Sequence, residues 1–225
     1  MILSKNRLFT KQEPDRDAKS IYIFSEGVKR EKQYFNYFKE IDSRINIEVY
    51  DLSSKENNSP LGLYKIAESA IQSESNPKGK YEVIEGDEVW IVIDTDKDKL
   101  DSRRPQIEQI KAKCDSKNWN ISQSNPCFEV WLYYHLDAEK PNFQNMDTCK
   151  QWKQYLQKEK GGFDSKKHPI FIQTALINSE ILFQQDEEGF PSVGTTQIFR
   201  LAQSILSVSS IKVKISEELN NRQNQ

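Results

Sequence analysis

Cysteine is scarce. The 225 residues include three, Cys114, Cys127 and Cys149, and no two of them form a Cys-x-x-Cys pair. An odd count without paired spacing points away from a disulfide framework and from a zinc cluster. The two histidines, His135 and His168, have no serine or cysteine arranged beside them in sequence, so acyl chemistry lacks support. Eight glycines never arrange as Gly-x-x-x-x-Gly-Lys-Ser/Thr, so ATP hydrolysis, if it accompanies the function, belongs to another chain. Apolar runs end after about five residues, as in Val89-Trp90-Ile91-Val92-Ile93, far short of the ~20 that cross a bilayer. The start, MILSKNRLFTKQEPDRD, turns polar after three residues and lacks the apolar stretch of a signal peptide, which places the expected compartment in the cytoplasm. Basic excess is also missing: 32 Lys+Arg against 34 Asp+Glu leave a net charge of −2. No broad positive field is available to hold nucleic acid by counter-ion release.

What the chain does have is aromatic bulk, with 11 Phe, 9 Tyr and 4 Trp, enough for a substantial core despite a mean hydropathy of −0.78. Residues 1–19 read as an exposed leader. Ile21-Tyr22-Ile23-Phe24 is a strand-forming run without alternation, which suggests a strand covered on both faces. Tyr34, Phe35, Phe38 and Ile41 follow helical spacing over about 29–41. Residues 45–50 alternate as a strand nearer an edge. Leu61 to Ala70 carries a helical stripe, and Val89–Ile93 is the most strand-like segment. Ile107, Ile110 and Cys114 indicate a further helix, and 118–122 a fourth short strand. The order β-α-β-α-β-α-β predicts an α/β fold: a Rossmann-like, mainly parallel four-stranded sheet with helices on both faces and right-handed crossovers. Beyond 125 no strand is expected. Asn125-Pro126 reads as a helix start, with Asn as N-cap and Pro in the first helical position. Further helices are expected near 147–160, 167–186 and 195–209. This gives an α/β core over 20–136 and a mostly helical part over 137–225 packed on it.

Ligands of open α/β sheets sit at the carboxyl ends of the strands. There the first strand runs into Glu26-Gly27 and the third into Asp94-Thr95-Asp96. If the two strands are parallel neighbours, Glu26 and Asp94 lie close, and alternation turns Asp94 and Asp96 to one side. Gly27 would let the backbone turn tightly behind Glu26. Carboxylates gathered in this way repel one another, and a hard divalent cation, Mg²⁺ or Mn²⁺, relieves them. The plainer reading is that acids after a strand are loop residues and that Asp caps the next helix. Other positions carry the same double reading. Lys29, Arg30 and Lys32, and likewise Arg103-Arg104, could neutralise phosphate or simply face solvent. Trp131, Tyr133 and Tyr134 could stack bases, or pack on the sheet. Asn125 could orient a metal ligand, or only cap a helix. His135 reads as a buried, hydrogen-bonded histidine, His168 as structural or exposed, and Cys127 as a small core residue.

Three blocks, IYIFSEGVKREKQYFNYF (21–38), VWIVIDTDKDK (89–99) and SNPCFEVWLYYHL (124–136), resemble the RloB-like family, whose core is a Toprim-type domain. The likeness covers roughly 20–136 and continues more weakly to about 209, where PSVGTTQIFRLAQSIL is similar to the family's closing helix. Toprim domains use a Glu after the first strand and an Asp-x-Asp after the third, which match Glu26, Asp94 and Asp96; the third block adds Glu129. The resemblance implies Mg²⁺- or Mn²⁺-dependent phosphodiester hydrolysis of RNA, tRNA included, or DNA. The setting it implies is an anti-phage abortive-infection system with an ATPase partner. Asp94 and Asp96 would be the main ligands of one or two ions. Glu26 would be a ligand or the general base, and Glu129 would complete the shell or favour the helix dipole instead. Lys29 and Arg30 would contact substrate phosphates. A non-catalytic sensing or scaffold subunit is the alternative, and a nucleotidyltransferase or primase-like enzyme a third.

Overall fold

Ile21, Ile23, Ile91 and Ile93 have no exposed surface because the strands that carry them are covered on both sides. A computed structural model describes residues 12–141 and 146–223. Four parallel strands, β1 (Lys19–Ser25), β2 (Ile45–Val49), β3 (Glu88–Asp94) and β4 (Asn120–Asn125), lie in the order β2-β1-β3-β4. The helices between them are α1 (Arg30–Phe35), α2 (Pro60–Ala70) and α3 (Lys97–Asp115). From β1 the chain crosses to β2 in one direction, then returns past β1 to β3 and on to β4 in the other. Crossovers of a single hand then put α1 on one face of the sheet and α2 and α3 on the opposite face. The core is divided accordingly. Tyr22, Phe24, Val89, Ile91 and Ile93 pack under Leu63 and Ala67 of α2 and Ile107 and Ile110 of α3. Ile21, Ile23, Trp90 and Val92 pack under Tyr34 and Phe35 of α1.

That second face also receives the rest of the chain: α4 (Glu129–Tyr133), α5 (Cys149–Glu159), a 3-10 turn (His168–Phe171), α6 (Ile172–Leu182), α7 (Ile198–Ile205) and α8 (Ser209–Gln223). Trp131, Trp152, Ile172, Ile198 and Ile215 join the same cluster as Ile21 and Ile23, so the C-terminal helices share one core with the sheet. At the far end α8 is held by Lys214, whose Nζ reaches Asp42 Oδ2 at 3.0 Å and donates to the Ile41 carbonyl at 2.8 Å. Among the described residues no helix is long and apolar enough to cross a membrane.

Several local expectations need correction. The sheet has a fifth strand, β5 (Thr195–Thr196), antiparallel to β4, inside the stretch expected to be helical from 195. Gly194, at φ +77°, turns the chain into it, and its N–H donates to the Asn125 carbonyl at 2.8 Å. A two-residue strand shows no alternation to read. Asn125 does not cap a helix. It is the last residue of β4, its side chain donates to the Pro191 carbonyl at 2.7 Å, and α4 begins three residues after Pro126. The helix expected over 29–41 ends at Phe35; bonds from Tyr37 N–H to Tyr34 O and from Phe38 N–H to Phe35 O tighten it into turns that drive Phe38 and Ile41 inward. In contrast, α3 is longer than its apolar stripe, because its first half is polar and carries no apolar pattern. Of the leader, residues 1–11 lie outside the described residues, and 12–17 are exposed up to the first strand.

Trp152, 1% exposed and edge-on to Tyr133 at 5.6 Å, joins α5 to α4. Trp152→Ala is expected to cost ~3–5 kcal/mol of stability in urea unfolding, in a single transition with the sheet. A cost below ~1 kcal/mol would show the helical layer to be no part of the core.

Candidate active site

The strand order reverses between β1 and β3, so a crevice opens at their carboxyl ends. Glu26 follows β1 directly, and its backbone N–H still pairs with the Val92 carbonyl at 3.2 Å. Its carboxylate reaches across to β3, where Oε2 accepts the Asp94 N–H at 3.3 Å. Arg103, from the second turn of α3, closes on Glu26 with two parallel bonds: Nη1 to Oε2 and Nη2 to Oε1, both 2.5 Å. The same Nη1 also donates to the Asp94 carbonyl at 2.6 Å. Both residues are buried. A bidentate guanidinium–carboxylate pair in such a place is among the stronger polar contacts available to a protein.

Asp94 ends β3 and points to the other face of the sheet. Its Oδ1 accepts the Phe128 N–H at 3.0 Å, and its Oδ2 lies 3.9 Å from Cys149 Sγ. The strand stops there, so alternation does not govern Asp96. Instead Asp96 is the N-cap of α3: Oδ1 accepts the Asp98 N–H at 3.3 Å, as the plainer sequence reading foresaw. Its Oδ2 accepts the Cys149 N–H at 3.2 Å, at the start of α5. The two aspartates therefore meet through Cys149. Glu129 opens α4, 3% exposed, with Arg30 Nε at 3.6 Å and Lys153 Nζ at 3.9 Å.

A fifth acid, Glu31, was not singled out in the sequence. It lies in the first turn of α1, buried, and folds back over Gly27. A Cβ at Gly27 would stand 1.7 Å from Glu31 Oε2. Gly27 is thus required for the space its missing side chain leaves; it is not at positive φ, and the tight turn expected of it is not its role. Burial pushes the Glu31 carboxyl up to about 7, with the charges of Glu129 and Glu26 adding to the effect. Asp94 is also driven well above the carboxylate range, by burial first and then by Glu31, Glu26, Cys149 and Glu129. Arg103 is held more firmly protonated: burial opposes its charge, and the bond to Glu26 overrides that cost.

Of the cations considered, Arg30 faces Glu129 while Lys29 is exposed at the start of α1. Lys32 turns away to pair with Asp51. Arg104 binds Asp186 and Glu188 and covers the Phe190 ring, remote from the acids. Trp131, Tyr133 and Tyr134 are buried in the core, and Tyr134 Oη donates to the Gly194 carbonyl, so none offers a face to a base. His135 is buried between Tyr34 Oη and the Trp131 carbonyl, and burial lowers it to about 3. His168 accepts the Asp164 N–H at 3.1 Å. Cys127 is buried as expected, yet a second cysteine stands beside it in space. Cys127, Glu129 and Cys149 bring their ligand atoms within 4.8 Å of one another, a cluster that could hold a metal ion.

A family model described as RloB-like protein matches residues 21–205. No curated protein and no solved structure matches the chain.

Two outcomes test this geometry. Because the raised Glu31 keeps its proton in the folded state after the unfolded chain has lost it, the native form loses stability as pH rises from ~4.5 through about 7. Glu31→Gln removes that loss: relative to the parent chain it should gain up to ~3 kcal/mol across this window. A stability difference independent of pH would contradict the assignment. In addition, Gly27→Ala should cost ~1–3 kcal/mol in the parent chain and much less beside Glu31→Ala. Equal costs in both backgrounds would separate Gly27 from Glu31.

Proposed function

We propose that this chain, which belongs to the RloB-like family, is a metal-dependent nuclease. In this reading it hydrolyses phosphodiesters of RNA, tRNA included, or of DNA. It acts in the cytoplasm as the effector of an anti-phage abortive-infection system, with ATP hydrolysis supplied by a partner subunit. The observation that carries the reading is the gathering of Glu26, Glu31, Asp94, Asp96 and Glu129 at the β1–β3 crevice with too little positive charge beside them.

A hard divalent cation fits this donor set. Glu31 and Asp94 are raised partly because neighbouring acids repel them, and a cation among them removes that repulsion. Asp94, Asp96 and Glu129 would hold Mg²⁺ or Mn²⁺, each with lone pairs left after its hydrogen bonds. The ion would supply neutralisation of phosphate charge and a Lewis acid at a phosphoryl oxygen. Glu26 has both oxygens committed to Arg103, which leaves it a positioning role: it fixes the guanidinium beside the crevice and ties β1 to the Asp94 backbone. The proton of the attacking water then falls to Glu31, the buried acid of the first turn of α1 that stands beside Glu26 and Glu129. Lys29 and Arg30, exposed at the rim, would meet the flanking phosphates. With a net charge of −2, the chain depends on its partner to bring the substrate.

One observation favours a second reading. The cation already bound by Glu26 is the chain's own arginine, which is what a Toprim-like scaffold without catalysis would also need. Cleavage assays with tRNA, single-stranded and duplex DNA, the partner ATPase, and Mn²⁺ or EDTA separate the two. The nuclease reading expects Mn²⁺-dependent cleavage that Asp94→Asn abolishes and Glu31→Gln slows by ~100-fold or more. Absence of EDTA-sensitive cleavage with every substrate, or full activity in Asp94→Asn, would overturn it. Nucleotide incorporation in place of cleavage would favour a nucleotidyltransferase.

A further inference from the structure

Beside the acids, two thiols and a carboxylate converge from three different turns. Cys127 lies between β4 and α4, Glu129 opens α4, and Cys149 opens α5. Their ligand atoms lie within 4.8 Å of one another. Cys127 and Glu129 are buried, while Cys149 is half-buried on the open side. Contacts that do not involve the thiols fix all three turns. Phe128 N–H is anchored on Asp94 Oδ1, and Cys149 N–H on Asp96 Oδ2. A reciprocal capping box between Thr148 and Gln151 sets the start of α5.

We propose that Cys127, Cys149 and Glu129 form a binding site for one borderline-to-soft divalent cation of the Zn²⁺ class. Asp94 Oδ2, 3.9 Å from Cys149 Sγ, would be the fourth donor. The donor set decides the class. Mg²⁺ demands oxygen in octahedral array and gains little from sulfur, whereas two thiolates with carboxylates suit tetrahedral Zn²⁺. With sulfur at about 2.3 Å and oxygen at about 2.0–2.2 Å from the ion, tetrahedral donor atoms stand ~3.3–3.8 Å apart. Small torsions of the Cys149 and Glu129 side chains therefore close the site without moving the backbone. Each thiol gives up one proton to solvent on binding. Two thiolates and the carboxylates of Glu129 and Asp94 against Zn²⁺ leave two negative charges, and Lys153 and Arg30 flank Glu129 at 3.9 and 3.6 Å to balance them. The site stands whether or not the chain cleaves nucleic acid. If it does, Zn²⁺ competes with the hard cation for Asp94 and Glu129.

Titration of the reduced, chelator-treated full chain with Co²⁺ tests the site. One Co²⁺ per chain should bind, with thiolate-to-cobalt charge-transfer absorption that Zn²⁺ displaces and excess Mg²⁺ leaves unchanged. Cys149→Ser and Cys127→Ser should each abolish the band, and Cys114→Ser should keep it. Where Cys127→Ser, buried as it is, loses its circular-dichroism signature, Cys149→Ser alone decides. Asp94→Asn should keep the band with weaker Co²⁺ binding even though the nuclease reading has it inactive, so the two proposals fail separately. No charge-transfer band in the parent chain, or an unaltered band in Cys149→Ser, overturns the site.

Discussion

A single guanidinium makes the rest of the crevice possible. Without Arg103, the buried Glu26 carboxylate would keep only the exposed Lys99 ammonium, 3.9 Å from its Oε1, a cost of several kcal/mol. With it, Glu26 is neutralised in place, and the arginine also holds the Asp94 carbonyl, so the ends of β1 and β3 and the second turn of α3 become one unit. The helix length serves that contact. Because α3 starts at the Asp96 cap, immediately after the strand, Arg103 returns over the strand ends it has just left. One acid of the pair Asp94 and Asp96 thus starts the helix whose arginine secures the other's backbone.

The opposite face of the same edge is arranged differently. Glu26 turns toward α3, whereas Asp94 turns toward α1, α4 and α5, where Glu31 and Glu129 wait. The cations on this side, Arg30 and Lys153, are at the rim, about half exposed, and sit 3.6–3.9 Å from Glu129, with Lys153 also acting more weakly on Glu31 and Asp94. Water screens such pairs, so they stabilise little. The negative charge around Asp94 and Glu31 is therefore relieved by protons in the chain by itself. The partition follows from the fold: the reversal of strand order that creates the crevice also puts α3 and α1 on different faces, and with them the guanidinium and the extra acids.

How much of this was legible in the sequence depends on whether a residue acts through its neighbours in the chain. β1 and β3 were readable because burial on both faces forces unbroken apolar runs, and Glu26 and Asp94 were readable as the acids that end them. Asp96 was readable in two ways, and its bond to Asp98 N–H selects the cap. Glu31 left no trace: it looks like one charge in a polar stretch, and only the space above Gly27 distinguishes it. Arg103 and Arg104 look identical in sequence, yet one enters the site and the other holds the loop carrying Asp186 and Glu188. Cys127 and Cys149 lacked the spacing of a metal pair, because their approach is made by the packing of α4 on α5 and not by a local turn. The small strand β5 was hidden for a related reason, since its pairing rests on Gly194 and on the Ser124–Thr196 hydroxyl contact at 2.7 Å.

The crevice can meet its excess charge in three ways: a fixed arginine, bound protons, or a bound cation. Arg103 is committed at every pH of interest, because nothing in the protein's range deprotonates it. Protons and cations are then alternatives for Glu31 and Asp94. Below about 7 the raised Glu31 keeps its proton and the repulsion is already reduced, so a cation gains less by entering. Above that value the proton leaves, and the same carboxylates become both better ligands and worse neighbours. Cation binding must release protons in this window and must strengthen as pH rises through it. A cation bound in such a crevice would be held more tightly near neutrality than in acid, because protons compete with it for Glu31.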